Sequence, residues 1–236
     1  MIEEEVVLVT AGAKRIGSHL CRRLIQSGYR VVIHYHQSRD AALVLQKELH
    51  CAVVQADLSD PSRVKQMFFE AVSQYGRLDH IINNASRFTS GSVEETTIQE
   101  YESMMALHAT APFFLSKYLF QHLKKREAKG SVINMVDTKV SSPTQSRAVY
   151  YCAKGSLLMQ TKALAAALAP VVRVNAISPG AVLSNGDDAY FATMKERLLV
   201  KRTGNVEDIY QAVEYLLHAS FVTGEELVVD GGQKLL

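Results

Sequence analysis

Residues 131–169 read SVINMVDTKVSSPTQSRAVYYCAKGSLLMQTKALAAALA. Ser131 to Val136 has the apolar run of a buried strand, Asp137 opens a loop, and a long helix follows that carries Tyr150 and Lys154. A spacing of four is about one turn of helix, so a phenol and an ammonium lie on one face and can reach a shared cleft. Such a pair is a proton donor whose acidity the surrounding protein controls.

Outward from this unit, strand and helix alternate. Val6 to Thr10 is a short apolar run, and Ile16, Leu20 and Leu24 then recur at helical spacing. Tyr29 to Tyr35 and Ala52 to Gln55 read as strands, separated by a helix from about Ser38 to Leu49. Asp60-Pro61-Ser62 starts a helix whose face is Val64, Phe68, Ala71, Val72 and Tyr75. His80 to Asn83 is a fourth strand, and a long helix over about 98–125 is expected to kink or pack closely at Pro112. After the Tyr150 helix come a strand over 171–177, an unpatterned segment over 180–204 expected as a substrate lid, a helix over 206–219 and a strand over 226–229. Strands apolar throughout and alternating with helices imply a parallel sheet covered on both faces. The expected fold is α/β, a single doubly wound, Rossmann-like domain over 1–236.

Composition narrows the function classes. The 236 residues are 47% hydrophobic, and 26 basic against 24 acidic residues are scattered without a basic block, so nucleic acid is not the expected partner. No long apolar span and no signal-peptide pattern is present, so no membrane partner is expected and a cytoplasmic location is. Cys21, Cys51 and Cys152 are odd in number and lack CxxC spacing, as reduced thiols would. No metal site is expected.

In a doubly wound sheet the ligand lies beyond the carboxyl ends of the strands. There the loop Thr10-Ala11-Gly12-Ala13-Lys14-Arg15-Ile16-Gly17 feeds a helix N-terminus, whose free N–H groups and dipole attract phosphate. Small residues at 11–13 fit a plain tight turn equally well. NAD binders place an acid about 20 residues beyond such a loop to hold the ribose diol. Here Tyr35, His36, Gln37 and Ser38 occupy that place. Arg15, His36, Ser38 and Arg39 offer cations and a hydroxyl to a 2′-phosphate instead, which favours NADPH over NADH.

Four motifs occur in the order and spacing of the short-chain dehydrogenase/reductase family: the Thr10–Gly17 loop, Asn83-Asn84-Ala85-Ser86, Tyr150-x-x-x-Lys154 and Ser178-Pro179-Gly180. The chain resembles that family over nearly its whole length. It departs from the usual pattern at Ala11 and Arg15, which replace glycines, at Ser86, at His108 in place of an Asn, and at Asp137 in place of a Ser. With His34-Tyr35-His36-x-Ser38, these departures are similar to the pteridine reductase and bacterial dihydromonapterin reductase branch.

That resemblance implies an NADPH-dependent reductase of a dihydropterin or dihydrofolate. It implies Asp137, Tyr150 and Lys154 as catalytic residues. It implies Arg15, Ile16, His36, Ser38, Asp57, Asn84, Ala85, Ser86, Tyr150, Lys154, Pro179 and Gly180 around the cofactor, and a homotetramer built on the long helix and the Tyr150 helix. Ser86, Phe88, Asp137 and Tyr150 are the expected substrate contacts; Phe88 is also a plausible core aromatic, although a ring opposite the nicotinamide would make a slot for a flat heterocycle. Asp137 is either a turn cap or a carboxylate that keeps the phenol protonated against the pull of Lys154. His108 is either a packed helix residue or a water-ordering one. Arg147, Ser184 and Asn185 are further pocket candidates. Two other readings stay open: a 3-oxoacyl-type carbonyl reductase, which would normally keep Ser at 137, and a non-catalytic NADPH-sensing regulator, against which the Tyr/Lys pair counts. Enoyl reduction is disfavoured by the four-residue Tyr–Lys spacing.

Overall fold

The computed structural model describes residues 4–88, 91–184 and 188–236, and Asn185 lies outside them. Seven strands form one sheet: β1 (Val6–Val9), β2 (Arg30–Tyr35), β3 (Ala52–Gln55), β4 (His80–Asn83), β5 (Gly130–Met135), β6 (Val172–Pro179) and β7 (Glu226–Val229). Their order is β3-β2-β1-β4-β5-β6-β7, and every adjacent pair is parallel. β1, β4 and β5 are buried at every residue, so their apolar side chains do not alternate with exposed ones; the polar residues they carry, among them Asn83 and Asn134, are buried as well.

Helices cover both faces. One face packs α3 (Pro61–Tyr75), α5 (Ala111–Lys125) and α6 (Ala148–Leu168) on Leu8, Ile81, Val132 and Val174. The other packs α1 (Arg15–Gln26), α2 (Arg39–Leu49) and α8 (Val206–His218) on Val7, Val9, Ile33 and Ile133. Local signals set several ends. Asp60 accepts from the Ser62 amide at 2.9 Å with Pro61 at the first helical position, and α3 stops at Gly76 with φ 72°. Asn205 and Asp208 form a reciprocal capping box on α8.

Two expected elements differ. The long helix is three pieces: α4 (Ile98–Met105), a π-helical turn (Ala106–Thr110) and α5. The extra residue in that turn buries His108 and carries the helix into Pro112 without the missing N–H breaking a regular ladder. The segment over 180–204 holds a short helix, α7 (Asp188–Arg197), whose Met194 packs with Ala181 and Leu198. Its sequence gives no clean amphipathic stripe because only this small cluster needs burying.

β1 lies between β2 and β4, so the order in which strands are added reverses there and a crevice opens at the carboxyl ends of the strands. Thr10 closes its floor, bonding its hydroxyl to Ile82 O while accepting the Asn84 and Ala85 amides at 2.9 Å each. Among the described residues, no helix is long and apolar enough to cross a membrane.

Candidate active site

A cleft of about 550 Å³ occupies the crevice. Arg15, Ile16, His36, Ser38, Asn84, Ser86, Phe88, Asp137, Tyr150, Lys154, Pro179 and Gly180 line it, so all but two of the catalytic, cofactor and substrate residues that the family resemblance implies converge there, while the further candidates Arg39, Arg147 and Ser184 do not line it. The two are Ala85, whose amide is taken by Thr10, and Asp57, which stands beside the cleft. Asp57 accepts from the Ser59 amide and hydroxyl at 2.8 and 2.6 Å and lies 3.6 Å from His36 Nε2. Burial pushes its carboxyl up, but Ser59 and the nearby cations outweigh that and hold it low.

The loop after β1 is built by backbone strain. Ala11 and Arg15, the residues standing for glycines, have φ of 49° and 55°, the left-handed region that costs an L-residue ~1–2 kcal/mol. Neighbouring groups over-determine it. His34 Nδ1 accepts the Ala11 amide at 3.1 Å, the His34 carbonyl accepts the Gly12 amide at 2.9 Å, and Asn84 Nδ2 donates to Thr10 O and Ala11 O. His34 Nε2 then donates to Ala56 O at 3.1 Å, which assigns one neutral tautomer. Burial lowers its pKa to about 4. A Cβ on Gly17 would stand 2.8 Å from Gly12 Cα and 2.9 Å from Asn84 Nδ2, so only glycine lets α1 approach this closely. The first turn of α1 has no acidic residue and no side-chain cap. Free amides, Arg15 and the absence of an acid from Tyr35 to Ser38 fit a phosphorylated dinucleotide.

At the other end of the cleft, side chains dominate. Tyr150 Oη donates to Asp137 Oδ2 at 3.0 Å, while Asp137 Oδ1 accepts the Lys139 amide at 2.8 Å. The carboxylate therefore caps its turn and holds the phenol at once; the two roles left open by the sequence coexist. Burial raises the Tyr150 pKa, and the charge and hydrogen bond of Asp137 raise it further. Lys154 is buried with Nζ donating to Met135 O at 2.6 Å, 5.9 Å from the Tyr150 ring centroid. Burial lowers its pKa to about 8, against the opposing charge of Asp137. At Tyr150, burial and Asp137 outweigh the Ser86 hydroxyl, which pulls the other way, and the phenol stands as a protonated donor.

Phe88 is half exposed, so it is a wall of the cleft and not a core aromatic. Its ring lies 4.8 Å from that of Tyr150, with Arg147 Cζ 5.0 Å over its face. His108 Nδ1 donates to Met104 O at 3.1 Å, and Nε2 meets both Ser86 Oγ and the Arg87 amide at 3.2 Å. Burial, then the Lys154 charge, lowers its pKa to about 3. It is a neutral brace for the Ser86–Phe88 segment. Sequence reasoning passed over His34 and the Thr138–Asp230 hydrogen bond of 2.6 Å that ties the Asp137 turn to the end of β7.

A family model described as enoyl-(acyl carrier protein) reductase matches residues 11–234. The chain belongs to the short-chain dehydrogenase/reductase family. It is 33% identical over 99% of its length, and 98% of the relative's, to the ketoacyl reductase 2 assigned to the granaticin polyketide synthase of Streptomyces violaceoruber. Identity is 29% to a 3-oxoacyl-(acyl carrier protein) reductase of Staphylococcus aureus, over 95% of the chain and 96% of the relative. In structure it is similar to the FolM alternative dihydrofolate reductase 1 of Brucella canis complexed with NADP: TM-score 0.92, 30% identity, covering 98% of this chain and 95% of that one. The family is an oxidoreductase family, so the chain is a reductase or dehydrogenase by membership.

Proposed function

We propose that the chain is an NADPH-dependent reductase of a dihydropterin or dihydrofolate, acting on the C6=N5 bond of the heterocycle. The observation that carries this reading is the Tyr150–Asp137 hydrogen bond of 3.0 Å, a donor kept protonated beside an aromatic wall. The structural similarity to a dihydrofolate reductase complexed with NADP supports it.

When bound, NADPH supplies the hydride for C6. The residues that would hold it are Arg15, His36 and Ser38 at the 2′-phosphate, the α1 N-terminus at the diphosphate, and Lys154 at the nicotinamide ribose. Phe88 orients the flat ring so that N5 faces Tyr150. Tyr150 gives its proton to N5, and the Asp137 carboxylate accepts a proton from solvent and returns it to the phenol. Lys154, held by Met135 O, keeps positive charge under the phenol as its proton leaves. Ser86 and the buried brace His108 hold the wall in place. The exposed side chains Ile98, Tyr101, Phe113 and Met159 on α4, α5 and α6 support association of the chain with itself through these helices, in a homotetramer.

A second reading, reduction of a 3-oxoacyl thioester, is favoured by the ketoacyl reductases among the sequence relatives. Steady-state NADPH oxidation with dihydromonapterin, dihydrobiopterin, dihydrofolate and an acetoacetyl thioester separates the two. Turnover is expected with the pterins and at least tenfold less with the thioester; the reverse order overturns the proposal.

A further inference from the structure

Beyond Phe88 the cleft continues into an outer chamber of about 470 Å³, joined to the inner one along Arg15, Asp137 and Val182. Tyr151, half-buried Phe191 and buried Met194 give its lining apolar surface. Lys139 from the turn after β5, Arg147 from the turn before α6, and Arg197 from the end of α7 line it as well. Besides Arg15 at the junction, three separate segments thus bring cations to one chamber. Asp137 is the only carboxylate side chain among the described lining residues, and its oxygens already accept Tyr150 Oη and the Lys139 amide. Among the described residues none of the three cations forms an ion pair, whereas Arg22, Arg30, Arg77 and Arg202 each have a carboxylate partner. Convergence of unpaired cations raises the local concentration of anions and gives them charge-assisted hydrogen bonds.

We propose that this chamber is a subsite for an anionic substituent on the heterocycle, a carboxylate or a phosphate ester, with Lys139 and Arg197 as its anchors. The proposal rests on the pterin reading above. It names the substrate class as a pterin that carries a charged tail across an apolar spacer, in preference to a neutral polyol. Arg147 faces the same chamber but also covers Phe88, so its removal would disturb the ring slot and it is left in place in the test.

The test is the full-length Lys139→Gln/Arg197→Gln double variant, assayed with dihydrofolate, dihydromonapterin and a dihydromonapterin phosphate ester. For an anionic substrate, kcat/KM relative to dihydromonapterin is expected to fall about tenfold, mainly through KM, as two exposed charge contacts would give. In the unsubstituted protein, KM for the anionic substrate is expected to rise as salt is added from low ionic strength, while KM for dihydromonapterin stays flat. A fall confined to dihydrofolate assigns a carboxylate tail, and one confined to the ester assigns a phosphate. Pterin turnover with an unmoved ratio, or with salt-independent KM values, overturns the subsite alone. A protein that turns over no pterin breaks the underlying reading and the subsite with it.

Discussion

The two ends of the cleft are built from different materials. The end beyond β1 and β2 is shaped by backbone: left-handed Ala11 and Arg15, an obligatory Gly17, and neutral buried groups that hold them. The end beyond β5 is shaped by burial and charge: the Asp137 carboxylate raises the pKa of both Tyr150 and Lys154. Each end has a buried histidine, and in both it is neutral. His34 braces the loop that would hold phosphate; His108 braces the wall that would hold the heterocycle. Binding a fixed anion needs donors in a fixed array, which rigid backbone supplies. Proton transfer needs a group whose acidity is tuned, which only neighbouring charges and burial can do.

The sharpest way to break this division is Tyr150→Phe. Loss of the donor is expected to lower pterin reduction by about 10²–10⁴-fold, while NADPH affinity, followed by nucleotide fluorescence, changes by no more than a few-fold. A large loss of cofactor binding would mean that the two ends are one unit. Next comes Asp137→Asn, expected to cost about 10–100-fold in kcat, since it removes one proton-transfer partner. Lys154 is an ammonium below about 8 and loses its proton above it. Because the Asp137 charge holds that value up, the basic limb of the pH–rate profile should move to lower pH in the variant. A limb that stays put would detach Lys154 from the carboxylate.

Arg15→Gly probes the other end. Removing the left-handed strain is expected to change stability by no more than about 1 kcal/mol, in the stabilising direction, in urea unfolding. The loss of the guanidinium should lower the preference for NADPH over NADH about tenfold. The smallest effect at neutral pH is that of His34. Its folded value of about 4 lies below the ordinary histidine value near 6.5, so unfolding takes up a proton between them. Stability is therefore complete above about 6.5 and is lost as pH falls toward 4, at most about 1.4 kcal/mol per pH unit for this group. His34→Asn should flatten that part of the stability profile from thermal melts at pH 4 to 7. His108 titrates in the same direction and leaves a residual slope.

Much of this was legible in the chain. Tyr150 and Lys154 share a face because four residues make about one helical turn, a relation that needs no tertiary knowledge. The seven strands announce themselves as short, largely apolar runs, and Asp60-Pro61 as a helix start, because the forces involved act within a few residues. Even the unusual loop is half visible, since Ala11 and Arg15 stand where the family has glycines and the positive φ persists there. The π-helical turn was not legible: its sequence, ALHAT, has ordinary helical propensity, and what stabilises the extra residue is the reach of His108 to Ser86 and Arg87. His34 reads as one more residue of a strand, because its partners, Ala11 and Ala56, follow two other strands. Likewise Lys139 and Arg197 are 58 positions apart and look like solvated cations until the fold brings both to the lining of one chamber.

The sequence by itself determined the family, the order of the elements and the placing of Tyr150 and Lys154 on one helix face, since these depend on periodicity and short spacing. Tertiary structure alone decided that Asp137 both caps its turn and holds the Tyr150 hydroxyl, that both histidines are neutral, and that Lys139, Arg147 and Arg197 line one chamber. Protonation and convergence depend on burial and on contacts between distant segments, and neither quantity exists until the sheet has assembled.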